Sequence, residues 1–101
     1  MEKNQHNRKI RYHILYEAIM AIDSVEICEY FLDDLLTVQE LEMISQRLNI
    51  AICLDKKKSY KEIAKITGAS SVTIGRVKQS FDYGEGGYRY ILDRLNTNGE
   101  L

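Results

Sequence analysis

The chain contains no proline. Nothing in its 101 residues locks a backbone angle or breaks a helix from within. Glycine is sparse as well, at 68, 75, 84, 86, 87 and 99. That composition suits helices with short connections better than strands with turns. Cysteine occurs twice, as Cys28 and Cys53, in no CxxC and no Cys/His cluster. This argues against a zinc site and against a disulfide framework, and both thiols are read as small buried side chains. No run approaches the roughly 18 apolar residues that a membrane span needs. The opening "MEKNQHNRKIRYH" has no apolar signal core, so the expected location is the cytoplasm. Internal repeats and low-complexity segments are absent too.

Catalytic patterns are equally scarce. His6 and His13 lie in a charged N-terminal arm and read as surface residues, with no nucleophile–base pair in view. Asp33 and Asp34 are adjacent at a helix end and point apart. "GEGG" at 84–87 follows no predicted strand and carries no P-loop lysine, which leaves it as a flexible break. Neither an enzyme nor a metal or cofactor is expected.

What remains is an ordinary soluble composition, 45% apolar and 29% charged, long enough for one small domain over 1–101. Charge is distributed unevenly. Residues 1–55 hold five basic and ten acidic groups, a net of −5. Residues 56–78 hold Lys56, Lys57, Lys58, Lys61, Lys65, Arg76 and Lys78 against Glu62 alone, a net of +6. Residues 79–101 return to −2. Half of the positive charge sits in one short window of a slightly acidic chain, as expected of a local anion-binding face or of a solvated lysine cluster.

Apolar periodicity predicts five or six helices. The first spans about Arg8 to Ile22, with Ile10, Ile14, Leu15, Ala18, Ile19 and Ile22 in a wide stripe. Asp23 and Glu26 start the second, which carries Cys28, Phe31, Leu32 and Leu35 at helical spacing. Thr37 and Glu40 form a capping box that opens a long third helix to about Asp55. That helix shows two stripes, Leu41–Ile44–Leu48–Ile52 and Met43–Ile50–Leu54, on nearly opposite sides. A helix apolar on two faces is buried on two faces. A chain this short has little mass to cover both, which predicts a homodimer with two-fold symmetry. A charge at Ile50 is expected to break it. Ser59 and Glu62 cap a fourth helix to about Ile66. Gly68 turns the chain, and Ser70 or Ser71 caps a fifth helix to about Phe81. Tyr88, Ile91, Leu92 and Leu95 mark a closing helix, after which "NTNGEL" is expected to fray.

Two short helices joined by a glycine-containing turn make a helix-turn-helix, here at about 59–81. Ile63, Ala64, Ile74 and Val77 supply its inner packing. Ser71, Val72, Thr73, Gly75 and Arg76 are left near the exposed start or side of the second helix. Hydroxyls and methyls there can meet base edges in a major groove. The lysines around them can bind phosphates and release counterions. Double-stranded DNA is the expected partner. A protein-docking module and an RNA-binding module, for which Tyr60, Tyr83, Tyr88 and Tyr90 could stack on bases, are the alternatives.

The segment "LLTVQELEMISQRLNIAICLDKKKSYKEIAKITGASSVTIGRVKQSF" resembles the Trp repressor family, and the whole chain its small YerC/YecD-type subgroup. The resemblance covers roughly 8–95. It implies an all-α, intertwined homodimer that represses transcription on palindromic operators, with dimerisation helices at about 8–55 and 84–96. It implies DNA contacts at Lys61 and from Ser70 to Gly75. It also implies an effector pocket at Leu36, Thr37, Arg47, Arg76 and Ser80, where the family holds tryptophan between two arginines. Val77 stands where the family has the glycine that makes room for the indole. Added volume of that kind is poorly tolerated in a packed site, so tryptophan is expected not to be the ligand. An effector of other chemistry, or none, takes its place.

Overall fold

The computed structural model describes residues 2–101, with side chains from Asn7 onward. Six helices follow one another: α1 (Glu2–Met20), α2 (Val25–Leu35), α3 (Val38–Asp55), α4 (Tyr60–Thr67), α5 (Ser71–Tyr83) and α6 (Gly87–Thr97). No strand occurs among the described residues, and the fold is all-α as expected. No helix is long and apolar enough to cross a membrane. The chain divides into two units, residues 1–38 and 39–101.

In the first unit, α1 starts at Glu2, six residues before the expected Arg8. The apolar period begins later than the helix does, because polar residues without proline or glycine carry the first turns just as well. His6 lies outside the described side chains. His13 is exposed, 3.6 Å from Glu17 one turn on. Helix α2 is capped by Ser24, whose hydroxyl accepts the Ile27 N–H at 3.1 Å. The start therefore falls one residue after the Asp23 chosen from sequence. No described side chain of this unit is buried. Ile10 and Ile14 are 65% and 76% exposed, and Ile19, Ile27 and Leu35 stand about half in water. Cys28 is half-buried, which corrects the expectation of two buried thiols, while Cys53 is buried.

The second unit holds the core. Ile50, Ile63, Ile74 and Leu92, one each from α3, α4, α5 and α6, are wholly buried. Ala51, Cys53, Ala69 and Val77 complete the cluster, and Phe81, Tyr88 and Leu95 pack against it. Each large aliphatic side chain so buried contributes about 1.5–3 kcal/mol. Helix α3 differs from the two-stripe expectation. Its buried residues all lie from Ile50 onward, while Met43, Ile44 and Leu48 are exposed. The helix is divided along its length as much as around its axis. Ile50 belongs to the chain's own core, so a charge there would strike folding before any interface.

Two helix C-termini of this unit are closed by hydrogen bonds. Helix α3 stops in a Schellman motif: the Lys58 N–H donates to the Cys53 carbonyl at 3.1 Å and the Lys57 N–H to Leu54 at 3.0 Å. Lys57 takes the left-handed conformation that this requires, with φ 63°. The same motif ends α6, with Glu100 N–H to Leu95 at 2.9 Å and Gly99 in the left-handed position. "NTNGEL" is thus capped where fraying was expected, because Gly99 satisfies carbonyls that would otherwise be orphaned.

Arg89 ties α6 to the end of α3. It donates to Asp55 at 2.6 Å and to Asp93 at 2.9 Å, and its guanidinium lies 5.9 Å from the centre of the Phe81 ring. Hydrogen bonding from Arg89 holds the Asp55 carboxyl below its ordinary value. A depressed pKa adds stability above the unfolded-state value, and that stability is lost as pH falls through the folded one. Asp55→Asn is therefore expected to lower the urea midpoint at pH 7. The gap to the unaltered protein should close as pH falls below about 4, the ordinary aspartate value, as read by denaturation at successively lower pH. An unchanging gap would show that the pair is not what stabilises.

Candidate nucleic-acid interface

Helix α4 opens with the expected capping box. The Glu62 N–H donates to the Ser59 hydroxyl at 3.2 Å, and the Ser59 N–H to the Glu62 carboxylate at 3.1 Å. These bonds hold the Glu62 carboxyl below its usual value. The single acid of the basic window is thereby occupied by backbone. Helix α4 ends at Gly68, with φ 72°, whose N–H donates to Ala64 at 2.8 Å. An open left-handed position needs glycine here.

The corner itself is knitted by side chains. The Thr67 hydroxyl donates to the Ile63 carbonyl at 2.8 Å and accepts the Ala69 N–H at 3.2 Å. From α3, the Gln46 side-chain amide donates to the Thr67 carbonyl at 3.1 Å. Ser70 then caps α5, accepting the Thr73 N–H at 3.1 Å, and its hydroxyl also bonds the Thr73 hydroxyl. That settles the choice between Ser70 and Ser71. It also gives Ser70 a structural task, where sequence reading offered it for DNA contact.

Helices α4 and α5 pack together through Ile63, Ile74 and Val77 as a helix-turn-helix. Ser71, Val72 and Arg76 are exposed on α5, and Thr73 and Gly75 are half-exposed. Gly75 is instructive. Its φ is not positive, and a Cβ added there would meet nothing within 4 Å. Nothing in the chain's own packing requires glycine in this helix interior, where it costs about 1 kcal/mol relative to alanine. The gap in the side-chain coat lies one residue before Arg76.

Lys56, Lys57, Lys61 and Lys65 are exposed and Lys58 is half-buried. Among the described residues none of them, nor Arg76, makes an ion pair. Lys78 is different. Asp82 holds it at 2.7 Å, one turn along α5, and keeps its ammonium charged above the ordinary value. It is partly neutralised within the chain and is a weaker phosphate ligand than its place in the basic window suggested. Lys57, Lys58 and Lys78 line a cleft of about 270 Å³ with Tyr60 and Phe81.

The proposed effector positions are partly assembled. Arg47, Arg76, Val77 and Ser80 line one cleft of about 440 Å³. Leu36 and Thr37 lie in the first unit. Val77 is only 5% exposed and packs into the core, as expected. It narrows the cleft and does not fill it. Met43, Gln46, Thr73 and Tyr88 complete the lining. Met43 lies one turn before both Gln46 and Arg47 on α3, at i+3 and i+4 spacing, which could have suggested it beside Arg47. Among the described residues no group of three or more His, Cys, Asp or Glu side chains could hold a metal ion.

Gly75→Ala is expected to raise the stability of the isolated protein by about 0.5–1 kcal/mol, measured by urea denaturation. Destabilisation would mean that a neighbour does crowd this position.

The family model for the Trp repressor protein matches residues 11–96. YerC, an uncharacterized protein of Bacillus subtilis, is 40% identical over 81 residues, which cover 80% of this chain and 78% of YerC. The crystal structure of a candidate Trp repressor from Staphylococcus aureus superposes with a TM-score of 0.85 at 39% identity, covering 91% of this chain and 92% of that one. A TrpR-like protein from Eubacterium eligens gives the same TM-score at 34% identity, over 89% and 95%. A match over this much of the sequence, with relatives this similar along most of their own length, is decisive: the chain belongs to the Trp repressor family.

Proposed function

We propose that this protein is a DNA-binding transcription regulator, a repressor that acts as a homodimer on palindromic operators. One observation carries the reading. A helix-turn-helix with a side-chain-locked corner presents unpaired cations and an uncrowded Gly75 around its second helix. Lys61, Ser71, Val72, Thr73, Gly75 and Arg76 are the residues assigned to DNA. Lys56, Lys57, Lys58 and Lys65 add phosphate attraction. Ser70 contributes through the cap it makes, and Lys78 only after Asp82 is displaced.

Family membership supports this reading, as does the description of the Staphylococcus aureus relative as a candidate Trp repressor. The exposed Ile44 and Leu48, with Ile10, Ile14 and Ile19, supply apolar surface for a second copy. A C2 pair of units would place two reading helices on two half-sites. The expected location is the cytoplasm, with the nucleoid when bound, and no membrane partner is invoked. The work is regulation and not catalysis. Tryptophan is disfavoured as effector because Val77 occupies part of the cleft between Arg47 and Arg76. A ligand of other shape, or none, fits better.

The test is selection of genomic duplex fragments by the purified protein at roughly 150 mM salt, where purely electrostatic binding is penalised. Enrichment of a palindrome is expected. Arg76→Ala should weaken binding to it by roughly tenfold or more with little change in thermal midpoint, since Arg76 is exposed and unpaired. Recovery of fragments with no shared sequence, or of a protein in their place, would overturn the proposal.

A further inference from the structure

Gln46 belongs to α3, yet its hydrogen bond is made at the corner of the helix-turn-helix. The acceptor is the carbonyl of Thr67, the last residue of α4, where the helix leaves carbonyls without intrahelical partners. The same residue holds the turn by its hydroxyl, to Ile63 on one side and Ala69 on the other. Three hydrogen bonds that involve a side chain therefore meet at Thr67, and among the described residues only the one from Gln46 comes from outside α4 and the turn. Gln46 is half-buried and stands between two clefts. One is lined with it by Glu42, Ser45 and Ile66, the other by Arg47, Thr73 and Arg76. A glutamine amide there can donate, while a hydrocarbon or a carboxylate in its place cannot.

We propose that Gln46 is a positioning residue for DNA reading: it fixes the corner to α3 and so sets the angle at which α5 is presented. The inference rests on the reading of α4 and α5 as a DNA-binding unit. A bond internal to the chain then does the positioning, with no small molecule required. Removing it leaves the lysines and their charge in place, so attraction to any duplex persists. What is lost is the fixed register that lets side chains on α5 find base edges.

Two variants test this. Gln46→Met keeps length and packing and removes the donor. Gln46→Glu removes the donor when ionised and restores an O–H donor when protonated. The carboxyl would face Glu42 in one cleft and Arg47, Arg76 and Tyr88 in the other, besides the Thr67 carbonyl. Affinity for the selected palindrome and for a random duplex is measured from pH 8 to pH 4, down through the ordinary glutamate value of about 4.3, beside the unaltered protein. Hydrogen exchange of the Gly68 and Ala69 amides is followed without DNA.

At pH 8 both variants are expected to bind the palindrome about 3–10-fold more weakly, with random-duplex affinity within about twofold. Exchange at the corner should speed up in both. Relative to the unaltered protein, Gln46→Glu should regain affinity as pH falls, and Gln46→Met should not. A merely structural role gives no such recovery. Equal losses for both duplexes, unchanged palindrome binding by Gln46→Met, or identical pH profiles for the two variants would overturn the proposal. If the unaltered protein selects no palindrome, the DNA-binding reading fails first and takes this one with it. If it does and the variants match it, only the role of Gln46 fails.

Discussion

The burial of the last turns of α3 is the constraint on which the rest of the structure depends. Ile50 is wholly enclosed, and Ile63, Ile74 and Leu92 reach the same cluster from three other helices. Water is excluded there by four short helices that could not persist alone, since an isolated helix of 8 to 18 residues is marginal in water. The corner at Thr67, the cleft between Arg47 and Arg76, and the exposure of Val72 are all consequences of that closure. The charged latch of Asp55 and Arg89 guards its edge. At surface exposure such pairs add little on their own; this one gains from sharing Arg89 between two carboxylates and an aromatic face.

Polarity within the second unit is arranged so that cations are consumed where the fold needs them and left free elsewhere. Arg89 and Lys78 are engaged by carboxylates. Glu62, the one acid in the basic window, is turned back upon its own helix start. Lys61 and Lys65 on α4 and Arg76 on α5 therefore keep their full field. The first unit is the opposite case, with abundant apolar surface and nothing of its own to cover it. The second unit has a wholly buried core of its own, and the first has no buried side chain among those described.

Much of this was legible in the residues. Short-range chemistry was the easiest part: the Ser59 capping box, the left-handed Gly68, and the inward set Ile63, Ile74 and Val77 all follow from spacing of a few residues. Helix order followed from apolar period. Errors arose where a choice depended on distant neighbours. Ile50 was assigned to an interface because helical register cannot say which partner covers a face; three later helices cover it. Ser24 in place of Asp23, and the capped C-terminus at Gly99, turn on hydrogen-bond geometry that several residue types can satisfy. Within the site, the pairing of Arg47 with Arg76 across one cleft came from family resemblance. The bond from Gln46 to Thr67 spans 21 residues and was invisible to any local pattern. Lys78 pairs with Asp82, which lies four residues on and outside the 56–78 basic window, so the net charge of that window does not reveal the pairing.

Lys57 carries a meaning beyond its charge. It occupies the left-handed position of a helix stop, where glycine sits without strain and a side chain with a Cβ costs of order 1 kcal/mol. Folding alone would favour the smaller residue. The chain keeps instead a long cationic side chain on the wall of a cleft, beside Lys58 and Lys78. At this position backbone ease is forgone for a formal charge. Proteins commonly hold such compromises where activity and robustness pull apart. In this molecule the compromise falls at Lys57, the second residue of the basic window, at the stop between α3 and the helix-turn-helix.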